Sequence, residues 1–233
     1  MDLTNWTTLD TTGQLRTATY RFPGGVSRTT LVQLSAQRML VYSPGAPLVS
    51  SAAELLDDDV ELLLVAPSSG HTLGISPWLA RFPTARVFAA PSATERLQRV
   101  AGSTCVEPAS QLSTALPPHV ALHTPPASRT GELWLSAGPD DRVYWIVCDS
   151  YMNIAKLADG FWLRLAQRLY GLRVGLSVGR AFRLGVGEPA AFREWAVRCF
   201  ANGATNVLVP CHGEVDERQD LTERLIALTK ATF

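Results

Sequence analysis

The chain has 233 residues, of which 46% are hydrophobic and only 18% charged, enough apolar material for one sizeable α/β domain over residues 1–233 and too apolar for a disordered chain. Lysine plus arginine number 21, as do aspartate plus glutamate, so the formal net charge is zero and an electrostatic nucleic-acid binder is excluded as the first reading. The longest apolar runs, 60–67 and 143–148, fall far short of the about 20 residues that a membrane span needs. The opening Met1-Asp2-Leu3-Thr4 lacks the basic and apolar regions of a signal peptide, and the four cysteines (Cys105, Cys148, Cys199, Cys211) show no C-x-x-C spacing. The expectation is a cytoplasmic protein with free thiols and neither membrane nor nucleic acid as a partner.

In chain order, Thr29–Leu34 and Arg38–Ser43 read as two strands of a hairpin, the first with alternating apolar and polar residues. Ser50–Leu56 reads as a short helix ended by Asp57-Asp58-Asp59, and Val60–Val65 as a buried strand. Ser76–Phe82 is expected as a helix with Ser76 at the N-cap and Pro77 in the first turn. A strand at Arg86–Ala90 and a helix at Ser92–Ala101, stopped by Gly102, continue the α/β rhythm. In the second half, Gly131–Ser136 and Arg142–Val147 predict a hairpin across a loop of turn formers. Ala155–Leu172 predicts a helix with Phe161, Leu165, Leu169 and Leu172 on one face, and Gly171–Arg183 has no clear period. Glu188–Asn202 predicts a helix, Thr205–Pro210 a strand, and Glu217–Thr232 a closing amphipathic helix.

Four short segments carry the chemistry. Ala66-Pro67-Ser68-Ser69-Gly70-His71-Thr72-Leu73-Gly74-Ile75 follows the strand Val60–Val65. Leu122-His123-Thr124-Pro125-Pro126-Ala127-Ser128 offers one histidine in a proline-rich loop. Val143–Asp149 is a buried strand ending in an aspartate, and Val207–Gly213 is a strand followed by His212-Gly213. In this order they resemble the motifs of the metallo-β-lactamase superfamily, and closest is its degenerate, uncharacterised branch with an eroded H-x-H-x-D-H opening. The resemblance spans roughly residues 28–215. It implies a four-layer αββα sandwich, whereas periodicity alone gives only mixed α and β.

The resemblance also implies which ligands are lost. The four slots of the opening motif fall on Ala66, Ser68, Gly70 and His71, so one of them is a ligand. One of the family's two metal sites is left with His123 alone and is expected to be absent. The other keeps His71, Asp149 and His212, a set that holds one divalent ion, zinc or iron, with His123 as a fourth candidate.

Each residue has a simpler reading as well. His71 can cap the following helix, Asp149 can cap a turn, and His212 can be incidental beside the turn-forming Gly213. If His212 faces a pocket from an extended strand, Cys211 faces the core, and both Cys211 and Cys148 then read as inert buried thiols. There is no G-x-S-x-G, and Ser68-Ser69 has no base close in sequence, so a serine hydrolase is not supported. The arginines of Arg164–Arg183 read as a solvated face, or as a surface for a phosphate or carboxylate ligand. Two functions follow from the resemblance. The sequence favours a non-catalytic pseudoenzyme that binds a small molecule or a protein partner, with no metal. The alternative is a residual mononuclear metal-dependent hydrolase acting on an ester, thioester or amide.

Overall fold

The computed structural model describes residues 5–22, 25–57, 59–101, 105–157, 159–169 and 171–233. Strands β1 (Thr7–Thr8), β2 (Leu15–Phe22), β3 (Gly25–Ser35), β4 (Arg38–Tyr42), β5 (Glu61–Ala66), β6 (Arg86–Ala89) and β7 (Val106–Pro108) form a seven-stranded sheet in that order. Pairing is antiparallel through β4 and parallel from β4 to β7. A second sheet runs β13 (Thr205–Pro210), β10 (Arg142–Val147), β9 (Trp134–Ala137), β8 (Val120–His123), with β10 and β13 parallel. Strands β11 (Tyr151–Ile154) and β12 (Gly175–Val178) make a separate antiparallel ribbon. The helices are α1 (Val49–Ala53), α2 (Ile75–Arg81), α3 (Pro91–Ala101), α4 (Ala109–Ser113), α5 (Phe161–Leu169), α6 (Arg180–Gly185), α7 (Pro189–Phe200) and α8 (Leu221–Thr232).

The alternation of side chains along strands produces the layers. In β5, Leu63 and Val65 face the second sheet and pack with Leu135, Ile146 and Val209. Leu62, Leu64 and Ala66 face the other way, onto Ile75 and Trp78 of α2 and Ala93 and Leu97 of α3. On the far side of the second sheet, Trp145, Val147 and Leu208 meet Phe192 and Phe200 of α7 and Leu225 of α8. The result is helix, sheet, sheet, helix: the four-layer αββα order, with three apolar interiors between the layers. A fully buried aliphatic or aromatic side chain contributes roughly 1.5–3 kcal/mol, so the sandwich rests mainly on these interiors.

Several expectations shift. The helix expected over Ala155–Leu172 begins only at Phe161, some way after the paired strand Tyr151–Ile154; Ala158 and Tyr170 lie outside the described residues. Its apolar residues Phe161, Trp162 and Leu169 are exposed, at 71%, 78% and 65%, rather than turned to the core. The aperiodic stretch Gly171–Arg183 contains β12 and the start of α6. Helix α2 starts two residues earlier than expected, with Gly74 rather than Ser76 at the N-cap. A Cβ at Gly74 would come within 1.8 Å of the Pro44 carbonyl oxygen, so no larger residue fits that corner. Gly102, the expected stop of α3, also lies outside the described residues. Among the described residues no helix is long and apolar enough to cross a membrane.

Candidate metal centre

The three sheet strands that carry the motifs end at one edge. Strand β5 runs into the loop that holds His71, β10 into Asp149, and β13 into His212. The β5 loop is tied on both sides: Ser69 N–H donates to Thr130 O at 2.9 Å, and Leu133 N–H donates to Pro67 O at 2.8 Å. A turn inside it, His71 N–H to Ser68 O at 3.1 Å, aims the imidazole inward. Gly213 has φ 103°, and a Cβ there would sit 2.1 Å from Asn153 O. The glycine therefore serves the turn after β13, as the simpler reading held, yet the turn also delivers His212 to the site.

The three side chains converge. His71 Nε2 lies 3.2 Å from His212 Nε2 and 3.7 Å from Asp149 Oδ1, and His212 Nε2 lies 3.3 Å from Asp149 Oδ1. Ligands about 2.1 Å from a tetrahedral ion stand about 3.4 Å apart, so this nitrogen–nitrogen–oxygen set fits one divalent cation with a fourth position open. The site meets solvent, because the three side chains keep 11%, 23% and 15% exposure for His71, Asp149 and His212 respectively.

Outer contacts orient both rings. His212 Nδ1 lies 3.0 Å from Val26 O. A carbonyl only accepts, so Nδ1 carries the proton and the neutral ring presents the Nε2 lone pair to the site. His71 Nδ1 lies 2.9 Å from Ser43 Oγ. Ser43 directly follows β4 with φ 55°, a conformation rare for serine, which its backbone bond to Val65 O and the Thr29 Oγ1 bond to its carbonyl hold in place. Arg28, buried among protein groups, donates to Pro210 O at 3.1 Å and Gly213 O at 2.7 Å, and so clamps the segment that carries His212.

Electrostatics follow the same geometry. Burial opposes charge on His71, but the Asp149 carboxylate and the Cys211 sulfur beside it outweigh burial and raise its pKa well above 6.5. Burial likewise favours protonated Asp149, and the hydrogen bonds from His212 and His71 overcome it, holding the carboxyl far below the usual range. Without an ion, His71 therefore carries the proton that its Nε2 shares with Asp149 and His212.

Among the described residues, no cluster of ligand atoms includes His123. It lies at the end of β8, its Nε2 2.8 Å from Ser136 Oγ and its ring centroid 5.3 Å from that of Trp145, and burial lowers its pKa. The structure does not gather His123 with the other three; its Nε2 instead meets the hydroxyl of Ser136 on the neighbouring strand. A Cβ at Gly70 would lie 3.5 Å from Ser68 Oγ and 3.8 Å from Asp149 Oδ2, with no close clash. Gly70→Asp should therefore place a second carboxylate in the site and tighten zinc binding by about tenfold or more, read by competition with a chromophoric chelator. Weaker or unchanged binding would contradict the assigned slot.

Sequence reasoning missed Glu132, as it missed Ser43 and Arg28. Glu132 is fully buried, and its carboxylate accepts from Cys148 N, Asp149 N and Ser150 N at 3.2, 3.1 and 3.1 Å and from Trp134 Nε1 at 3.1 Å. It fixes the turn that presents Asp149; burial and the Asp149 charge push its pKa up to about 8. Cys148 and Cys211 face the core as expected, but with ligand atoms that also gather around His71.

With the geometry established, comparison with solved structures becomes informative. A flavodiiron core protein from Synechocystis aligns with TM-score 0.64 and 12% identity, over 98% of this chain and 60% of its own. A putative diflavin flavoprotein fragment from Nostoc aligns with TM-score 0.62 and 11% identity, over 98% of this chain and 96% of its own. Rubredoxin oxygen:oxidoreductase from Desulfovibrio gigas aligns with TM-score 0.60 and 11% identity, over 97% of this chain and 60% of its own. The fold is the metallo-β-lactamase-like core of flavodiiron proteins. At these identities the likeness extends to the fold alone, and the chain spans about 60% of the Synechocystis neighbour's length. No protein-family model matches the sequence, and no curated protein does.

Proposed function

We propose that this chain is a one-ion metalloprotein in which His71, Asp149 and His212 hold a single divalent cation, zinc or iron, for hydrolysis of an ester, thioester or amide. The observation that carries this reading is the triangle of ligand atoms, drawn from three separate chain segments, with sides of 3.2, 3.3 and 3.7 Å. A bound cation supplies Lewis acidity towards a carbonyl group. The protein's own groups do the rest. Val26 O and Ser43 Oγ fix the two imidazoles, Arg28 holds the His212 segment, and Glu132 presents Asp149. Asp149 Oδ2, 3.5 Å from Ser68 Oγ, is the carboxylate oxygen left to accept a hydrogen bond from an attacking water and orient it. Two-iron chemistry after the flavodiiron neighbours is not supported: among the described residues the second group of ligand atoms, His71, Cys148 and Cys211, shares His71 with the first, and His123 is bonded to Ser136.

A second reading keeps the pocket without catalysis, for a small molecule or a partner protein. It is favoured by the protonated His71, which satisfies Asp149 and His212 with no ion needed. The deciding assay is zinc-loaded protein against ester, thioester and amide substrates. Zinc-dependent turnover that vanishes in His212→Ala supports the hydrolase. Stoichiometric zinc without turnover on any of the three classes supports the non-catalytic reading.

A further inference from the structure

Behind the surface triangle lies a donor set that the proposed centre does not use. Cys148 follows β10 and Cys211 follows β13, and the register that pairs Val147 with Pro210 sets the two cysteines side by side. Cys211 N–H donates to Val147 O at 2.8 Å, which holds that register past the strand ends. The ligand atoms of His71, Cys148 and Cys211 all lie within 4.8 Å of one another. Both cysteines are buried, at 0% and 2% exposure. Cys148 Sγ donates to Ser68 Oγ at 3.6 Å, so an oxygen donor stands beside the sulfurs.

Two thiols and an imidazole at this spacing are a ligand set in kind as well as in distance. Sulfur ligands about 2.3 Å from an ion stand about 3.8 Å apart, which a slight contraction of the cluster reaches. Soft thiolates select thiophilic ions over hard ones. Charge selects further: two thiolates and a divalent cation sum to zero, and burial favours a neutral assembly. We propose that His71, Cys148 and Cys211 form a buried thiolate site for a thiophilic divalent cation, entered past Asp149 and His212. On binding, the protons held by the two sulfurs and by the His71 imidazolium pass to solvent, and each sulfur and the neutral imidazole nitrogen donates a lone pair to the ion. His71 is common to both sets, so the buried and surface positions exclude each other, and a softer ion occupies the inner one. The inference does not depend on the surface centre, because Asp149 and His212 are not ligands here.

The test uses cadmium(II), one equivalent, on the purified full chain. Sulfur-to-cadmium charge-transfer absorption and X-ray absorption at the cadmium edge count the sulfur neighbours. Wild type and Asp149→Asn should both show two sulfurs, and Cys211→Ala should lose at least one while a far-ultraviolet spectrum confirms that it stays folded. Cys211→Ser serves as the isosteric second variant, and the wild-type sulfur count stands even if both variants unfold. Cadmium bound by nitrogen and oxygen alone, or no binding by folded wild type, would overturn the proposal. A sulfur-bound cadmium together with failure of zinc to bind the surface triangle would refute the proposed function and leave this site standing.

Discussion

Glu132→Ala should lower the stability of this protein by at least about 3 kcal/mol. The carboxylate serves four buried N–H groups: three consecutive backbone amides from Cys148 to Ser150, and the Trp134 indole. A buried donor left without a partner costs about 1–3 kcal/mol, and water entering the vacated volume recovers only part of the sum. The same change frees the turn that presents Asp149, so zinc affinity should fall along with stability. Glu132→Gln should be milder, because its amide oxygen still accepts, but its amino group would confront one of the donors. Denaturant unfolding of the chelated proteins measures the first effect, and a loss below about 1 kcal/mol for Glu132→Ala would show that the turn stands without its carboxylate.

Zinc affinity should climb steeply with pH. His71 keeps its proton well above pH 6.5, and an ion must displace that proton to reach Nε2. Below the folded pKa each pH unit should raise affinity by up to about tenfold, so the gain between pH 6 and 8 approaches about 100-fold. Stability without metal runs the other way for this group. A raised pKa stabilises the fold below the ordinary value of about 6.5, and that contribution is lost as pH rises through the folded value. Asp149, whose pKa is depressed, contributes above its ordinary range and loses that contribution only in strong acid. Calorimetric titration at several pH values reads the slope. An affinity flat from pH 6 to 8 would mean that His71 is not a ligand.

How far the sequence carried these conclusions differs by element. Strands β5, β10 and β13 are continuous apolar runs, the pattern of strands covered on both faces, so their place and the edge they share were readable in advance. Strands β2, β8 and β11 are short or carry polar residues, and they were not expected; their identity depends on pairing partners far away in sequence. The exposed apolar residues of α5 read as an ordinary core-facing stripe, since periodicity records a face but not what covers it. His71, Asp149 and His212 were legible because a known motif supplied the register. His123 was named by the same motif, but nothing local announces the Ser136 hydroxyl that meets it on the neighbouring strand. Glu132, Ser43 and Arg28 left no local trace. Each acts through a backbone group or side chain brought near by the fold, and Ser43 acts from a conformation that its own residue type does not favour. The cysteine pair was assigned to the core by strand alternation, correctly, but alternation says nothing about which imidazole lies at the end of the core.

The most direct test of the central claim, that one ion binds His71, Asp149 and His212, is a thermal melt of wild type, Asp149→Ala and His212→Ala with and without zinc. A ligand that binds only the folded state raises the melting temperature, by about 2.7 kcal/mol of stability at one hundred times its Kd. The account predicts a zinc-dependent rise for wild type that disappears in both variants, while metal-free Asp149→Ala, which has lost its pairing with His71, melts below wild type. No zinc response in wild type, with both variants clearly destabilised, would contradict it and leave the three residues as a hydrogen-bonded structural cluster.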